Sequence, residues 1–320
     1  MEPTLRVSVV MTCFNEGRWI GAAVRSVLDQ TRGDLIEDIV IADDGSDEET
    51  LAVLREIERS DRRIRVIYGP GGAGLSAQRN LAIGETSAPL IAILDGDDLW
   101  TPDKLERQTP VFADADVGLC YADFSHFAGE DLATARRAGV KDITAASDLA
   151  RAYFLNDPPI IPSTILLRRT VLEAAGRFDA TVRVFEDTDL FIRLSRVCRF
   201  ALADAPLLLK RYRTSSITGG RKDLMAHHAL VAFRAAAEEP RLLPLVPRRL
   251  AERARKLGNQ HFLMDDLKRS AAFYGLALRL QPISPLAWAG VLLTGPLGGP
   301  LRRVLRDRLR KRRAALGLAR

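Results

Sequence analysis

Three carboxylates fall within four positions in Asp95-Gly96-Asp97-Asp98, directly after the apolar run Leu90 to Leu94. Oxygen ligands on a short loop suit Mg²⁺ or Mn²⁺, which keep several waters and use one or two protein carboxylates plus substrate phosphates. Two further acidic groups are Asp43-Asp44-Gly45-Ser46 and Glu186-Asp187. Gly69-Pro70-Gly71-Gly72-Ala73-Gly74 precedes Gln78-Arg79-Asn80. A flexible glycine loop ahead of a helix suits a diphosphate approached by backbone N–H groups, and Arg79 can reach the same anion. Each group also has a plain alternative: a solvated acidic turn, a helix cap, a glycine turn.

These residues need elements to position them. Val7 to Thr12, Ile36 to Ala42, Ile64 to Tyr68 and Leu90 to Leu94 are short, β-rich apolar runs, and they read as strands. Between them Arg18 to Gln30, Glu48 to Ser60 and Ser76 to Gly84 carry apolar residues at helical spacing. Alternating strands and helices predict a mostly parallel sheet with helices packed on it. The acids then sit at the sheet's C-terminal edge, where open α/β sheets bind ligands. The loop after the first strand lacks the glycine fingerprint of a dinucleotide site, which counts against a dehydrogenase.

Further along, a helix is expected from Thr101-Pro102-Asp103 to about Ala115, strands at Val117 to Phe124 and Ser163 to Arg168, and short helices at Ser147 to Leu155 and Thr170 to Ala175. Phe127 to Ala146 has no clear period. Leu190, Phe191, Ile192 and Leu194 predict a buried helix with Glu186 and Asp187 in its first turn, where the dipole favours their charge. Phe200 to Ala203 and Leu207 to Arg213 read as two last strands. From about Arg221 the composition turns to alanine, leucine and arginine. Leu257-Gly258-Asn259 and Arg269 to Leu280 are spaced like one helical hairpin. This divides the chain into 1–220, carrying the sheet, and 221–320, a helical extension.

The chain has 320 residues, is 47% hydrophobic and carries a net charge of +6. That supports a globular core. Pro300 to Arg320 holds nine basic residues and one acid, so the rest is slightly acidic. A cationic end on a near-neutral body argues for local contact with anionic lipid and against a protein that wraps nucleic acid. Leu301 to Leu318 reads as a basic amphipathic helix, at a membrane surface or simply solvated. Cys13, Cys120 and Cys198 lack metal-ligand spacing and read as reduced packing residues. No signal-type segment follows Met1 to Arg6, which predicts a cytoplasmic protein.

The order Val7-Ser8-Val9-Val10-Met11-Thr12-Cys13-Phe14-Asn15-Glu16, Asp43-Asp44-Gly45-Ser46, Arg79-Asn80, Asp95-Gly96-Asp97-Asp98, Glu186-Asp187 resembles the inverting family 2 glycosyltransferases of GT-A fold. The likeness covers about residues 5–218. It implies that Thr12, Phe14, Asn15, Glu16 and Asp44 hold the base and ribose of a nucleotide-sugar, with Arg79 near the nucleotide. It implies that Asp95 and Asp97 bind ribose and a diphosphate-bridging Mn²⁺ or Mg²⁺, and that Asp187 is the catalytic base. A UDP-sugar donor and a sugar or lipid-linked acceptor are expected on the same ground, at the inner face of the cell membrane. The Gln-x-x-Arg-Trp motif of processive synthases is missing, which implies single addition. A histidine common in related sequences is replaced within Thr214 to Thr218, leaving a third metal ligand unassigned.

Two other readings stand beside transfer. A nucleotidyltransferase also needs metal and acids, but no glycine-rich loop with a basic residue follows the first strand. A non-catalytic adaptor acting through its helical region has no physical need for Asp44, Asp95, Asp97 and Asp187 together.

Overall fold

β1 (Val7–Cys13) is buried along its whole length and has parallel neighbours on both sides, β2 (Ile36–Asp43) and β4 (Leu90–Asp95). β3 (Ile64–Tyr68) adds in parallel outside β2. The connections are α1 (Gly17–Leu28), α2 (Glu48–Ser60) and α3 (Leu75–Gly84). Val9, Met11, Ile39, Ile41, Ala92 and Leu94 fill one sheet face against Ile20, Val24, Val27 and Leu54 of α1 and α2. Asp47 starts α2 by accepting the Thr50 N–H at 2.9 Å, the N-cap its acidic loop foreshadows.

The computed structural model describes residues 5–156, 158–212, 224–295, 298–299 and 302–308. The chain forms two compact units, Met1–Tyr212 and Arg213–Arg320. Beyond β4 the first unit's sheet continues through β8 (Leu166–Arg168), β6 (Val117–Ala128), β9 (Arg199–Tyr212) and β5 (Leu99–Trp100), with β7 (Asp131–Arg137) paired to β6. β8 runs antiparallel to both β4 and β6. The parallel core is therefore flanked by a mixed half, in which β6 and β9 pair in parallel and the remaining pairings are antiparallel.

Several elements differ from the sequence expectation. The helix expected from about 103 to 115 is α4 (Lys104–Gln108) followed by a 3-10 turn, Thr109–Ala113. Pro110 lacks the N–H an α-helix would use there. Two expected strands are one, β9, which passes Asp204-Ala205-Pro206 by shifting register against β6 between Ala122 and Phe124. The start of the expected strand at Ser163 is a 3-10 turn, Pro162–Thr164. The unreadable stretch contains β7, exposed along much of its length. α5 (Leu149–Asn156), α6 (Arg169–Ala174) and α7 (Glu186–Val197) lie near their expected places.

The second unit contains α8 (Met225–Glu238), α9 (Val246–Leu263), α10 (Leu267–Leu280) and α11 (Pro285–Thr294). α9 and α10 form the expected hairpin, with Ser270 Oγ donating to the Gly258 carbonyl at 2.8 Å and Tyr274 OH to Asn259 at 2.7 Å. Buried Ala254, Ala277 and Ala287 let three helices approach closely. Residues 302–308 are helical; Leu301 and 309–318 of the expected basic helix lie outside the described residues. Among the described residues no helix is long and apolar enough to cross a membrane.

Candidate active site

The three parallel strands stop level. Thr12 on β1 is opposite both Ala42 and Asp95, and Cys13 is opposite Asp43. Side chains named in the motifs therefore emerge along one sheet edge.

The loop after β1 is tied to the loop after β2. Asn15 adopts a left-handed backbone, φ 54°; its N–H donates to Ser46 Oγ and its Oδ1 accepts from the Asp47 N–H, both at 2.8 Å. Phe14 stays 58% exposed, open to a planar ligand. Glu16 begins α1, its carbonyl accepting from Trp19 and Ile20. A Cβ on Gly96 would collide with the Glu16 carboxylate and come to 3.0 Å from the Thr12 carbonyl. Glycine there lets the Asp95–Asp98 loop lie against residues 12–16.

Asp43 and Asp44 divide the work. Asp43 is fully buried and holds its own turn, accepting from the Gly45 and Ser46 N–H groups at 3.1 Å and from Ser46 Oγ at 2.5 Å. Asp44 faces the glycine loop, accepting from the Ala73 and Gly74 N–H groups at 2.9 and 3.0 Å and from Gln78 Nε2 at 2.9 Å. Gly71, Gly72 and Gly74 all have φ between 80° and 94°. A Cβ on Gly45 would lie 2.6 Å from Gly71 Cα. The glycine run is therefore required for the turn itself.

Arg79, expected near the nucleotide, is paired within the protein to Asp95 and Glu186. It is 1% exposed, with Nη2 2.7 Å from Asp95 Oδ1 and Nη1 3.0 Å from Glu186 Oε1. Its guanidinium also covers the Phe178 ring at 5.2 Å. The pairing has a local cause: this face of α3 is buried, so the cation must find partners there. Asn80, the next residue, donates Nδ2 to the Phe178 carbonyl at 2.7 Å and accepts the Phe178 N–H at 3.1 Å. Arg79 and Asn80 thus hold the chain that leads into α7. Phe185 enters that helix at φ 64°, and Asp187 Oδ1 accepts the Thr188 N–H at 2.6 Å.

Burial opposes the charge on Asp95, but Arg79 and Lys210 outweigh it and hold this carboxyl below the usual range. Its N–H donates to Ser163 Oγ at 3.1 Å, and the Ser163 carbonyl accepts from Trp100 Nε1 at 3.0 Å. Behind this turn Lys104 is fully buried over the Trp100 ring at 4.9 Å. Its Nζ donates to Gln108 and to the carbonyls of Thr164 and Ile165 at 3.3 and 3.5 Å. Burial pushes its pKa down to about 7.

Two site residues escaped the sequence reading. Lys210 Nζ lies 3.5 Å from Asp98 Oδ2. Burial opposes its charge, and Asp98, Asp95 and Asp97 together hold its pKa up. Arg211 donates its backbone N–H to Asp98 Oδ1 and its Nε to the Asp97 carbonyl, both at 2.9 Å. Its guanidinium covers Phe127 at 4.6 Å and Trp19 at 5.9 Å. The available signal was a basic pair ending the apolar run Leu207 to Leu209.

Among the described residues no three His, Cys, Asp or Glu side chains are grouped as a protein cage would need. Asp98 belongs to the Lys210–Arg211 contacts. Asp97 with Asp95 fits the other way of holding Mg²⁺ or Mn²⁺, one or two carboxylates with the substrate's phosphates completing the shell. The expected place of a third ligand, Thr214 to Thr218, lies outside the described residues.

Residues 8–176 match Glycosyl transferase family 2. The chain belongs to that family. A putative teichuronic acid biosynthesis glycosyltransferase, TuaG of Bacillus subtilis (strain 168), is 33% identical over 119 residues, 37% of this chain and 46% of the relative. The Escherichia coli UDP-Glc:alpha-D-GlcNAc-diphosphoundecaprenol beta-1,3-glucosyltransferase WfgD is 27% identical over 209 residues, 65% of this chain and 77% of the relative. The first two curated relatives are matched over about half of their own length, 54% and 46%. Among solved structures, the mannosyltransferase PcManGT from Pyrobaculum calidifontis in complex with GDP-Man and Mn²⁺ superposes with a TM-score of 0.60 at 17% identity. That superposition covers 97% of this chain and 84% of the other. The family 2 chain thus has the GT-A fold, with a helical C-terminal region.

Proposed function

We propose that this family 2 glycosyltransferase is a metal-dependent, inverting enzyme that moves a sugar from a nucleotide-sugar to a hydroxyl acceptor in cell-surface polysaccharide or glycolipid synthesis. The observation that carries the reading is the double ion pair of Arg79. It joins Asp95, of the Asp-x-Asp loop, to Glu186, the residue before Asp187. An electrophile held by the first and a base supplied by the second would then share one rigid frame.

In this reading Thr12, Phe14, Asn15, Glu16 and Asp44 take the nucleoside, and Asp95 takes the ribose. Asp97, with Asp95, would hold Mn²⁺ or Mg²⁺, which stabilises charge on the departing diphosphate. Asp187 accepts the proton of the attacking hydroxyl. One base opposite the leaving group gives in-line displacement with inversion. No second, nucleophilic carboxylate is required, unlike in retaining glycosidases. Residues 1–220 would perform transfer and 221–320 would locate the enzyme.

WfgD is named for UDP-Glc and a diphosphoundecaprenol acceptor, and PcManGT was solved with GDP-Man and Mn²⁺. A UDP-sugar and a lipid-linked acceptor are the reading favoured here, with the enzyme peripheral at the inner face of the cell membrane. The deciding experiment is Asp187→Asn. Nucleoside diphosphate with Mn²⁺ should still raise its Tm, since binding only the folded state stabilises it, while transfer falls by about 10²–10⁴-fold. Unchanged turnover would remove Asp187 from the mechanism, and a protein that no nucleoside diphosphate stabilises would favour the adaptor.

A further inference from the structure

α11 is built inside out. Its inward positions include Ala287 and Gly290, both buried, and a Cβ on Gly290 would run into the Tyr274 ring. Its outward positions are Pro285, Leu286, Trp288, Ala289 and Leu292. At helical spacing these five fall on one continuous face, roughly half the circumference. Leu286, Trp288 and Leu292 are 63%, 53% and 60% exposed, and Ile283, just before the helix, is 83% exposed. Small residues inside and large apolar residues outside reverse the ordinary pattern of a soluble helix.

The surroundings narrow what can cover this face. From Pro282 to Pro300 the chain carries no charged residue. Arg302 then donates Nε to the Leu293 carbonyl at 2.9 Å and Nη2 to the Gly295 carbonyl at 2.7 Å. These bonds fasten 302–308 to the C-terminal end of α11, with Arg303 and Val304 exposed. Nine basic residues lie between Pro300 and Arg320 against one acid. A second copy would set this charge against itself. Nucleic acid would meet the arginines but has no use for an aliphatic face. An anionic bilayer satisfies both: leucines and tryptophan at the headgroup–acyl boundary, arginines at the lipid phosphates.

We propose that the exposed face of α11 seats on an anionic membrane surface through Leu286, Trp288 and Leu292, with the arginines that follow at the phosphates. This deepens the membrane-peripheral reading above and rests on it, adding an apolar contact to the basic tail. The contact is interfacial, since α11 is too short to span.

Sedimentation of the full chain with phosphatidylcholine vesicles, with and without phosphatidylglycerol, tests it. Wild type should pellet only with the anionic vesicles. Its Trp288 fluorescence, isolated by comparison with Trp288→Phe, should shift to the blue. The double variant Leu286→Asp/Leu292→Asp should lose at least about tenfold in vesicle affinity, while Tm and transfer to a soluble acceptor stay unchanged. A protein lacking 301–320 should also bind less. If the double variant binds like wild type and only the truncation is impaired, the α11 proposal fails and the tail alone carries the membrane reading. If wild type ignores anionic vesicles, both fail. A lipid-free dimer of the wild type that the double variant abolishes would overturn the proposal in favour of a second copy.

Discussion

Arg79 Nη2 lies 2.7 Å from Asp95 Oδ1 in a setting where the arginine is 1% exposed. The same guanidinium reaches Glu186 at 3.0 Å, so one buried cation is shared by the ends of two elements that meet only in the folded chain. Arg79→Met should leave Glu186 without this ion-pair partner and Asp95 with the charge of Lys210 alone. Removing one partner of a buried pair typically costs about 3–5 kcal/mol, and the partial exposure of Asp95 places the expected loss near the lower figure. Arg79→Lys should rescue little, because a single ammonium cannot span both acids as the planar fork does. Urea denaturation measures this, and a loss below about 1 kcal/mol, the scale of a surface pair, would show that the bridge does not hold the site.

Chelation should reduce transfer at least about hundredfold, the scale of withdrawing one charge-stabilising group, and added Mn²⁺ or Mg²⁺ should restore it. Asp97→Asn should fold normally but lose the metal-dependent part of the Tm shift produced by a nucleoside diphosphate. Full turnover in excess chelator would contradict metal dependence.

Gly45→Ala tests the contact between the Asp44 turn and the glycine loop. The position has φ 76°, and the new methyl would lie 2.6 Å from Gly71 Cα. Strain of about 1–3 kcal/mol is expected, with donor KM rising more than kcat falls. Wild-type stability and KM would mean that the two loops can part without consequence.

Lys104 makes stability depend on pH. Burial lowers its folded pKa to about 7, whereas an unfolded lysine titrates near about 10.4. Between these values the unfolded chain binds the extra proton, so stability rises with pH, by at most about 1.4 kcal/mol per unit from this group. That stability is present above the unfolded value and lost as pH falls through about 7. Lys104→Met should lack this slope when urea midpoints are compared from neutral pH upward. A difference from wild type that does not change with pH would mean that the lysine titrates normally.

The first half of the sheet was legible because each strand there is a short apolar run followed by an amphipathic helix, as at Val7–Cys13 and Gly17–Leu28. The second half hid for particular reasons. β7 is an exposed hairpin strand with little apolar alternation. β9 runs through Pro206 only by shifting its register against β6. At the site, residue types marked where acids gather, but not which acid answers which cation. Arg79 carries the signature of an anion ligand and turns inward. Lys210 and Arg211 carry none, since a basic pair at a strand end looks like a solvated edge, yet they brace the Asp97–Asp98 loop.

The pairing lengths along the sheet are uneven, and they are shortest at β8 and β5. β1 is in unbroken register with β2 over six residues and with β4 over six, while β8 is joined to β4 by three and β5 to β9 by two. Slipping any of the long pairings by one residue would turn a buried face to solvent, so the residues proposed for the donor stand on a frame that cannot drift. β6 and β9 pair with each other over eleven residues, but among the described residues β6 reaches β4 only through β8, by two residues on one side and three on the other. Displacing the β6–β9 block at β8 would therefore leave the register of β1, β2 and β4 untouched.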